Sequence, residues 1–440
     1  MNRRDFISRS GLILSGAALT PIFGGSYASI FGQTAPSNKI KVALMGCRSQ
    51  GFYDLSTFLD YPNVECVALC DVDDEWLNKR AADVEKKTGK KVKNLYKDWR
   101  RIIDNKEVDV MIIGTPDHWH CLPEVFACQA GKDVYVEKPL SNTIEECDLM
   151  VAAARKYNRV VQVGQWQRSD PHWNEAARFL RDGKIGRIRT VKVWAYQDGK
   201  PTLPVKPDEP VPAGVDYDMW LGPAPKRPFN PYRFHYNFRF FWDYAGGLMS
   251  DWGVHLLDYA MEGTGAELPP RVFGAGGKFA YPDDAMETPD TLMVTYAYKD
   301  FNMIWDHACG INHGLYNRKE GLAFFGEDGT MILDRSGWEV QPVVVNDKPR
   351  MDAVPFKKGE GKGLYNHVGN FLECLQNRQQ PNADVALGCK VAKLAHFGNI
   401  SCRVGREVRW DDSRKLFIGD EQATALAKAV YRAPWELPKL

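Results

Sequence analysis

Asp251, His255 and Asp258 stand at i, i+4 and i+7, so a helix over this stretch would carry all three on one face. A carboxylate, an imidazole and a second carboxylate on one stripe suit proton transfer near neutral pH. Gly246 and Gly247 precede the stripe and permit close approach at its start. The same face could serve a metal, or hold the histidine in a salt bridge, and H-x-x-D spacing alone does not separate these. A second reactive group is Lys138 in Glu137-Lys138-Pro139, which follows the apolar run Asp133 to Val136. A lysine closing a parallel strand can hydrogen-bond a substrate hydroxyl, although most lysines are simply solvated. His118 and His120, in Gly114-Thr115-Pro116-Asp117-His118-Trp119-His120, lie near the same sheet edge and are the rival bases.

These groups need a frame. Lys39 to Met45 reads as a strand, followed by the turn Gly46-Cys47-Arg48-Ser49-Gln50-Gly51 and a helix to about Leu59. Val64 to Cys70 is a second strand with Asp71 at its end, 25 positions after Gly46. Strand, glycine turn, helix, strand and acid make a dinucleotide-binding unit. Arg48 stands where the middle glycine of G-x-G-x-x-G would be, and could point outward to phosphate oxygens. A carboxylate at Asp71 accepts ribose hydroxyls and repels a 2′-phosphate, favouring NAD; Arg48 weakens that preference, so NADP stays open.

Further alternation follows. Helices are expected over Asp73 to Thr88, Pro123 to Ala130 and Thr143 to Lys156, the last with capping-box residues Thr143 and Glu146. Strands are expected over Val108 to Ile113, Asp133 to Val136 and Val160 to Val163. The fold class is therefore α/β, with a doubly wound parallel sheet first. After about Trp166 strand-like runs dominate, at Thr190 to Tyr196, Met293 to Tyr298 and Met331 to Leu333. A long proline-rich loop, Lys200 to Pro231, separates the first two. This predicts an α+β domain with an open, mainly antiparallel sheet. The expected divisions are 37–165 for the Rossmann domain, 166–385 for the α+β domain, and 386–440 for a helix and tail packing back.

A chain of 440 residues exceeds one core, in line with two domains. The net charge of +1 gives no electrostatic case for nucleic acid. The 10 cysteines are scattered, with no C-x-x-C or zinc spacing, so free buried thiols and no metal are expected. Residues 1–36, with Arg3-Arg4 ahead of an apolar run of small residues, resemble a twin-arginine export signal. That places the protein in the periplasm, or at the membrane if the signal is retained. Ser15, Gly16 and Pro21 break the run, which argues against a stable span there, and no other stretch reaches about 18 consecutive apolar residues, so no span is expected in the mature chain.

Taken together the motifs resemble the Gfo/Idh/MocA oxidoreductases. The matching residues are Val42 to Gly46 with Gly51 and Asp71, then Gly114 to His120, Glu137-Lys138-Pro139, and Gly246-Gly247 with Asp251, Gly253 and His255. The resemblance covers about residues 38–400, and Arg48 is the departure. It implies nicotinamide held by Gly46, Arg48, Gln50, Gly51, Asp71, Thr115, Pro116, His118, His120, Glu137 and Lys138. It implies His255 as the acid/base on a substrate hydroxyl, Lys138 as the anchor of that hydroxyl, and Asp251 as orienter. Gln165, Trp166, Arg168, His235 and Tyr244 are expected to line the substrate cleft.

Three function classes follow. One is an NAD-dependent oxidoreductase of a sugar, cyclitol or glycoside. A second cleaves glycosides by transient oxidation, elimination and re-reduction, releasing sugar without net NADH. A third is a non-catalytic binding module. Export adds the expectation of a tightly held cofactor, since nicotinamide is not replenished outside the cytoplasm. The resemblance also implies a homo-oligomer.

Overall fold

The computed structural model describes residues 39–197 and 202–440, so the export signal lies outside the described residues. Strand β1 (Ile40–Met45) is apolar on both faces, with Val42, Ala43 and Leu44 fully buried, as a central parallel strand requires. Helix α1 (Ser49–Phe58) leads to β2 (Val64–Cys70). Helix α2 (Asp74–Thr88) is capped by Asp73, whose side chain accepts from Glu75 N, and stops at Gly89 (φ 71°). Then come β3 (Asn94–Tyr96), α3 (Arg100–Asp104), β4 (Val110–Ile113), α4 (Cys121–Gln129) and β5 (Asp133–Val136). Helix α5 (Ile144–Lys156) opens on the expected capping box, Thr143 Oγ1 accepting from Glu146 N at 3.3 Å. With β6 (Val161–Val163) the sheet order is β3-β2-β1-β4-β5-β6, parallel throughout. The order reverses beside β1, which opens a crevice at the strands' C-terminal ends.

Helix α6 (Pro171–Arg181) leads into the second sheet through β7 (Thr190–Gln197). The short α7 (Tyr217–Leu221) and helix α8 (Val254–Thr264) intervene. Strands β8 (Arg271–Gly277), β9 (Thr291–Ala297), β10 (Asn302–Cys309), β11 (Glu320–Phe325), β12 (Gly329–Asp334), β13 (Gly337–Pro342) and β14 (Val354–Lys358) follow. Their order is β14-β13-β12-β11-β7-β10-β9-β8. Pairing is antiparallel except for β7 with β10. One face buries Leu292, Val294 and Tyr296 against α8 and the later helix α10 (Val385–Val404). The other face leaves Phe273 and Met293 exposed.

Helix α9 (Gly363–Asn377) packs back on the first domain, with Leu364, Val368, Phe371 and Leu372 in one core with Val42, Leu44 and Phe58. Its Phe371 meets Phe58 and Tyr135 edge-on, at centroid distances of 5.9 and 6.0 Å. Helix α10 joins both cores, with Val385 on the Rossmann side and Leu394 and Phe397 on the other. One helix thus contributes to the cores under both sheets. All ten cysteines are unpaired, nine of them buried.

Candidate active site

A cleft of 520 Å³ is lined on one side by the ends of β1, β2, β4 and β5, at Met45, Asp71, Gly114 and Glu137. Asp251, Trp252, His255 and Arg335 line it from the second domain. Gly46 adopts φ +86°, and a Cβ there would lie 2.7 Å from Gly114 C. A side chain at Gly51 would overlap Gly46 O. The turn therefore packs flat against β4 and brings the start of α1 to the cleft. That start has no side-chain cap and no acid in its first turn, leaving backbone N–H groups for an anion. Arg48 lines the cleft with its guanidinium 4.9 Å over the Trp76 ring. Gln50 also lines it and donates to Asp54 Oδ1 at 2.8 Å. Asp71 accepts from Cys47 N at 2.6 Å and Asp73 N at 3.0 Å, which aims its carboxyl at the turn. Burial pushes that carboxyl up to about 6. Thr115 and Pro116 complete this half. The uncapped helix start, the flat glycine turn and the acid at the end of β2 fit a dinucleotide.

The other half holds the proton chemistry. Lys138 Nζ donates to Asp251 Oδ1 at 2.7 Å and to its carbonyl at 3.1 Å. Arg239 Nε lies 3.2 Å from Asp251 Oδ2. Burial works to raise the Asp251 carboxyl, but Lys138 and Arg239 outweigh it and hold the group well below the usual carboxylate range. Burial acts in the opposite sense on His255, and the positive charges of Lys138 and Arg335 add to it. The imidazole is driven well below its ordinary value and stays neutral. Its Nδ1 is buried without a hydrogen-bond partner among the described residues. A neutral, unpaired imidazole beside an ammonium–carboxylate pair is a proton acceptor in waiting.

The backbone here differs from the expected single helix. Met249–Gly253 forms a π-helical turn before α8 begins. Gly247 (φ +68°) lets the chain pass Thr288, whose Cβ would lie 2.7 Å from an added Cβ. The wider turn changes the angular spacing between Asp251 and His255. Asp258, expected on the same stripe, is instead buried and bonded by Arg168 Nε at 2.9 Å and Nη2 at 2.6 Å.

Arg168 is therefore corrected: it is not a cleft residue but a buried counter-ion of Asp258, with Glu262 3.6 Å away. Arg168→Ala should cost about 3–5 kcal/mol of stability, because a buried carboxylate loses its partner. Denaturant unfolding checks this, and a loss under 1 kcal/mol would contradict the role. Gln165 is buried and is not among the residues that line the cleft. Tyr244 is fully buried against Trp220, centroids 4.8 Å apart. His118 packs there too, with Nε2 3.0 Å from Trp220 O. His120 sits between the carbonyls of Pro139 (2.8 Å) and Thr115 (2.9 Å). Both histidines brace loops by main-chain bonds and do not line the cleft. Trp166 and His235 do line it, His235 being paired with Asp73 at 3.0 Å. Glu137 lines it from a buried site where burial pushes its carboxyl up to about 7.

Asp117, Arg239, Trp252 and Arg335 reach the cleft without having been singled out from the sequence. Burial pushes Asp117 up to about 8, against the pull of Lys138 and Arg239. Arg239 had a visible signal, an arginine inside the aromatic run Phe234 to Trp242. Arg335 sits in a turn distant in sequence from every motif.

Residues 40–165 match the description "Oxidoreductase family, NAD-binding Rossmann fold", and 185–303 with 357–437 match "Oxidoreductase family, C-terminal alpha/beta domain". The chain belongs to the Gfo/Idh/MocA oxidoreductase family. This Gfo/Idh/MocA oxidoreductase is 22% identical over 333 residues to the uncharacterized oxidoreductase YrbE of Bacillus subtilis (strain 168), covering 74% of this chain and 85% of YrbE. It is 36% identical over 118 residues to the levoglucosan dehydrogenase of Pseudarthrobacter phenanthrenivorans, covering 27% of this chain and 30% of that one. A glycosyl hydrolase family 109 protein of Shewanella sp. (strain W3-18-1) is 26% identical over 171 residues, covering 36% and 37%. A solved levoglucosan dehydrogenase, in complex with NADH and levoglucosan, shares the fold at a TM-score of 0.64 and 19% identity, covering 84% of this chain and 99% of that chain.

Proposed function

We propose that this oxidoreductase oxidises a hydroxyl-bearing carbon of a sugar, cyclitol or glycoside. The observation that carries it is the neutral, unpaired His255 beside the Lys138–Asp251 pair in a cleft that fits NAD. Bound NAD⁺ supplies the hydride acceptor. His255 takes the hydroxyl proton, which makes the adjacent C–H a better hydride donor. Lys138 Nζ hydrogen-bonds the same oxygen and stabilises developing negative charge. Asp251 positions that ammonium and is itself fixed by Arg239. Trp166 and Trp252 line the cleft and give it apolar surface beside His255. The levoglucosan dehydrogenase likeness supports a carbohydrate substrate. Purified protein given NAD⁺ and a panel of sugars, cyclitols and glycosides should form NADH and a carbonyl product. Free sugar without net NADH would mark the glycoside-cleaving route instead, a reading that the family 109 likeness favours. Cofactor binding with neither NADH nor free sugar formed from any member of the panel would overturn the proposal.

Asp71 sets the cofactor preference. Asp71→Ser should weaken NAD more than NADP, since the lost contact is to the ribose. Because its carboxyl is raised to about 6, its charge is lost below that pH, and the preference for NAD should narrow there. An NAD/NADP affinity ratio unchanged by the substitution would show that Asp71 does not reach the ribose.

We further read residues 1–36 as an export signal, on the Arg3-Arg4 pair and the apolar run behind it. Exposed Phe273 and Met293 on the outer sheet face support assembly of several copies. Protein recovered from the periplasm should carry nicotinamide through purification and sediment as an oligomer. Cytoplasmic, cofactor-free monomer would contradict all three.

A further inference from the structure

Resting on the carbohydrate-oxidoreductase reading, we propose that the substrate carries a carboxylate and that Arg335 receives it, which makes the substrate a sugar acid. Of the other cations that line the cleft, Lys97 pairs with Asp74 at 3.1 Å. Lys138 and Arg239 both hold Asp251. Arg48 lies on the cofactor side, over Trp76 and in the field of Asp71 and Asp73. Arg335 has no ion pair or hydrogen bond among the described residues, and its Nε is buried without a partner. The adjacent acid, Asp334, is committed elsewhere. It accepts from Ser336 N at 2.7 Å and pairs with Arg318 at 2.9 Å.

The guanidinium is held in place by aromatic rings. Its centre lies 5.2 Å from the Trp166 centroid and 4.6 Å from that of Trp252. Stacking fixes the plane and leaves the N–H fork for a ligand. The rings and the more distant carboxylates of Glu320 and Asp251 compensate only part of the cost of desolvating this cation, and burial still wins. An anion in the cleft would supply the rest. The planar fork matches the two oxygens of a carboxylate. Trp166 is also the neighbour of His255, ring centroids 6.3 Å apart, so the acid group and the oxidised carbon belong to one small molecule. The step balances: the C–H hydride passes to NAD⁺, the O–H proton to His255, and a keto acid results. An uncharged analogue would leave Arg335 unpaired in the complex, the situation in which a polar site discriminates most strongly. The anion would also offset part of the positive field on His255, making it a stronger base when substrate is bound.

The test uses full-length holoenzyme, NAD⁺ and matched pairs: methyl glucuronide against methyl glucoside, the galacto pair, an aldonate against its alditol, and a 6-phosphate of each hexoside. In the pair that is turned over, the carboxylate member should show about 10- to 100-fold higher kcat/KM, the range of one charge-assisted contact. Arg335→Leu should lower kcat/KM for the acid about 10-fold or more beyond its effect on the neutral partner, with Arg335→Lys recovering part of the difference. Neutral members preferred in every pair would overturn the proposal and leave the oxidoreductase reading intact. Preference for the phosphates would overturn the carboxylate assignment. No turnover of any member, with NADH still bound, would overturn both readings. The comparison of wild-type substrates decides the matter even if the Leu variant fails to fold.

Discussion

His255→Ala lowers kcat by about two to four orders of magnitude, the span expected for a lost acid/base group. Nicotinamide affinity should change little, because His255 comes from the second domain and the glycine turn is intact. The wild-type pH profile carries a matching signature. A base must be unprotonated to act, and the folded environment drives His255 below its ordinary value of 6.5. Activity should therefore persist below pH 6.5, with the acid limb displaced downward and absent from the residual rate of His255→Ala. Stopped-flow turnover from pH 4 to 9 checks this. Near-full turnover in His255→Ala, with activity abolished in His118→Ala or His120→Ala, would move the base elsewhere. The main-chain bonds of those two histidines instead predict that their loss appears first as lowered stability.

Lys138→Ala should cost a comparable factor of about 10²–10⁴ in kcat, since an ammonium aimed at developing oxyanion charge is removed. The variant also frees Asp251 Oδ1 while Arg239 still holds the other oxygen, so the carboxylate stays in place. The double variant with His255→Ala should lose much less than the product of the two single factors. Both groups act on one oxygen and its proton in one transition state. Fully multiplicative losses would show that they serve separate steps.

The parts of the site that sequence reasoning reached were those carried by local chemistry. The glycine turn, Asp71 and the strand-closing Lys138 follow from a strand–turn–helix pattern read over about 100 residues, and all line the cleft. His255 and Asp251 were identified from helical spacing that does not hold in detail, because a π-helical turn intervenes. Asp258 fitted the same spacing and belongs instead to Arg168, a partner 90 positions away that no local period reveals. His118 and His120 sit in a motif next to the cleft, yet the carbonyl of Trp220, 102 positions on, takes one ring nitrogen of His118, and those of Pro139 and Thr115 take both of His120. Arg335 escaped notice for the converse reason. Its turn between β12 and β13 has ordinary turn residues, and only tertiary packing brings it between Trp166 and Trp252.

The central claim is hydride exchange between nicotinamide and a carbohydrate carbinol carbon, with His255 taking the proton. Carbohydrates deuterated at their ring carbons, incubated with holoenzyme and NAD⁺, test it directly by mass analysis of the nicotinamide. Deuterium should arrive on the nicotinamide ring with wild-type enzyme and fall by at least about 100-fold in rate with His255→Ala. Nicotinamide that stays bound and free of deuterium across the whole panel would contradict it.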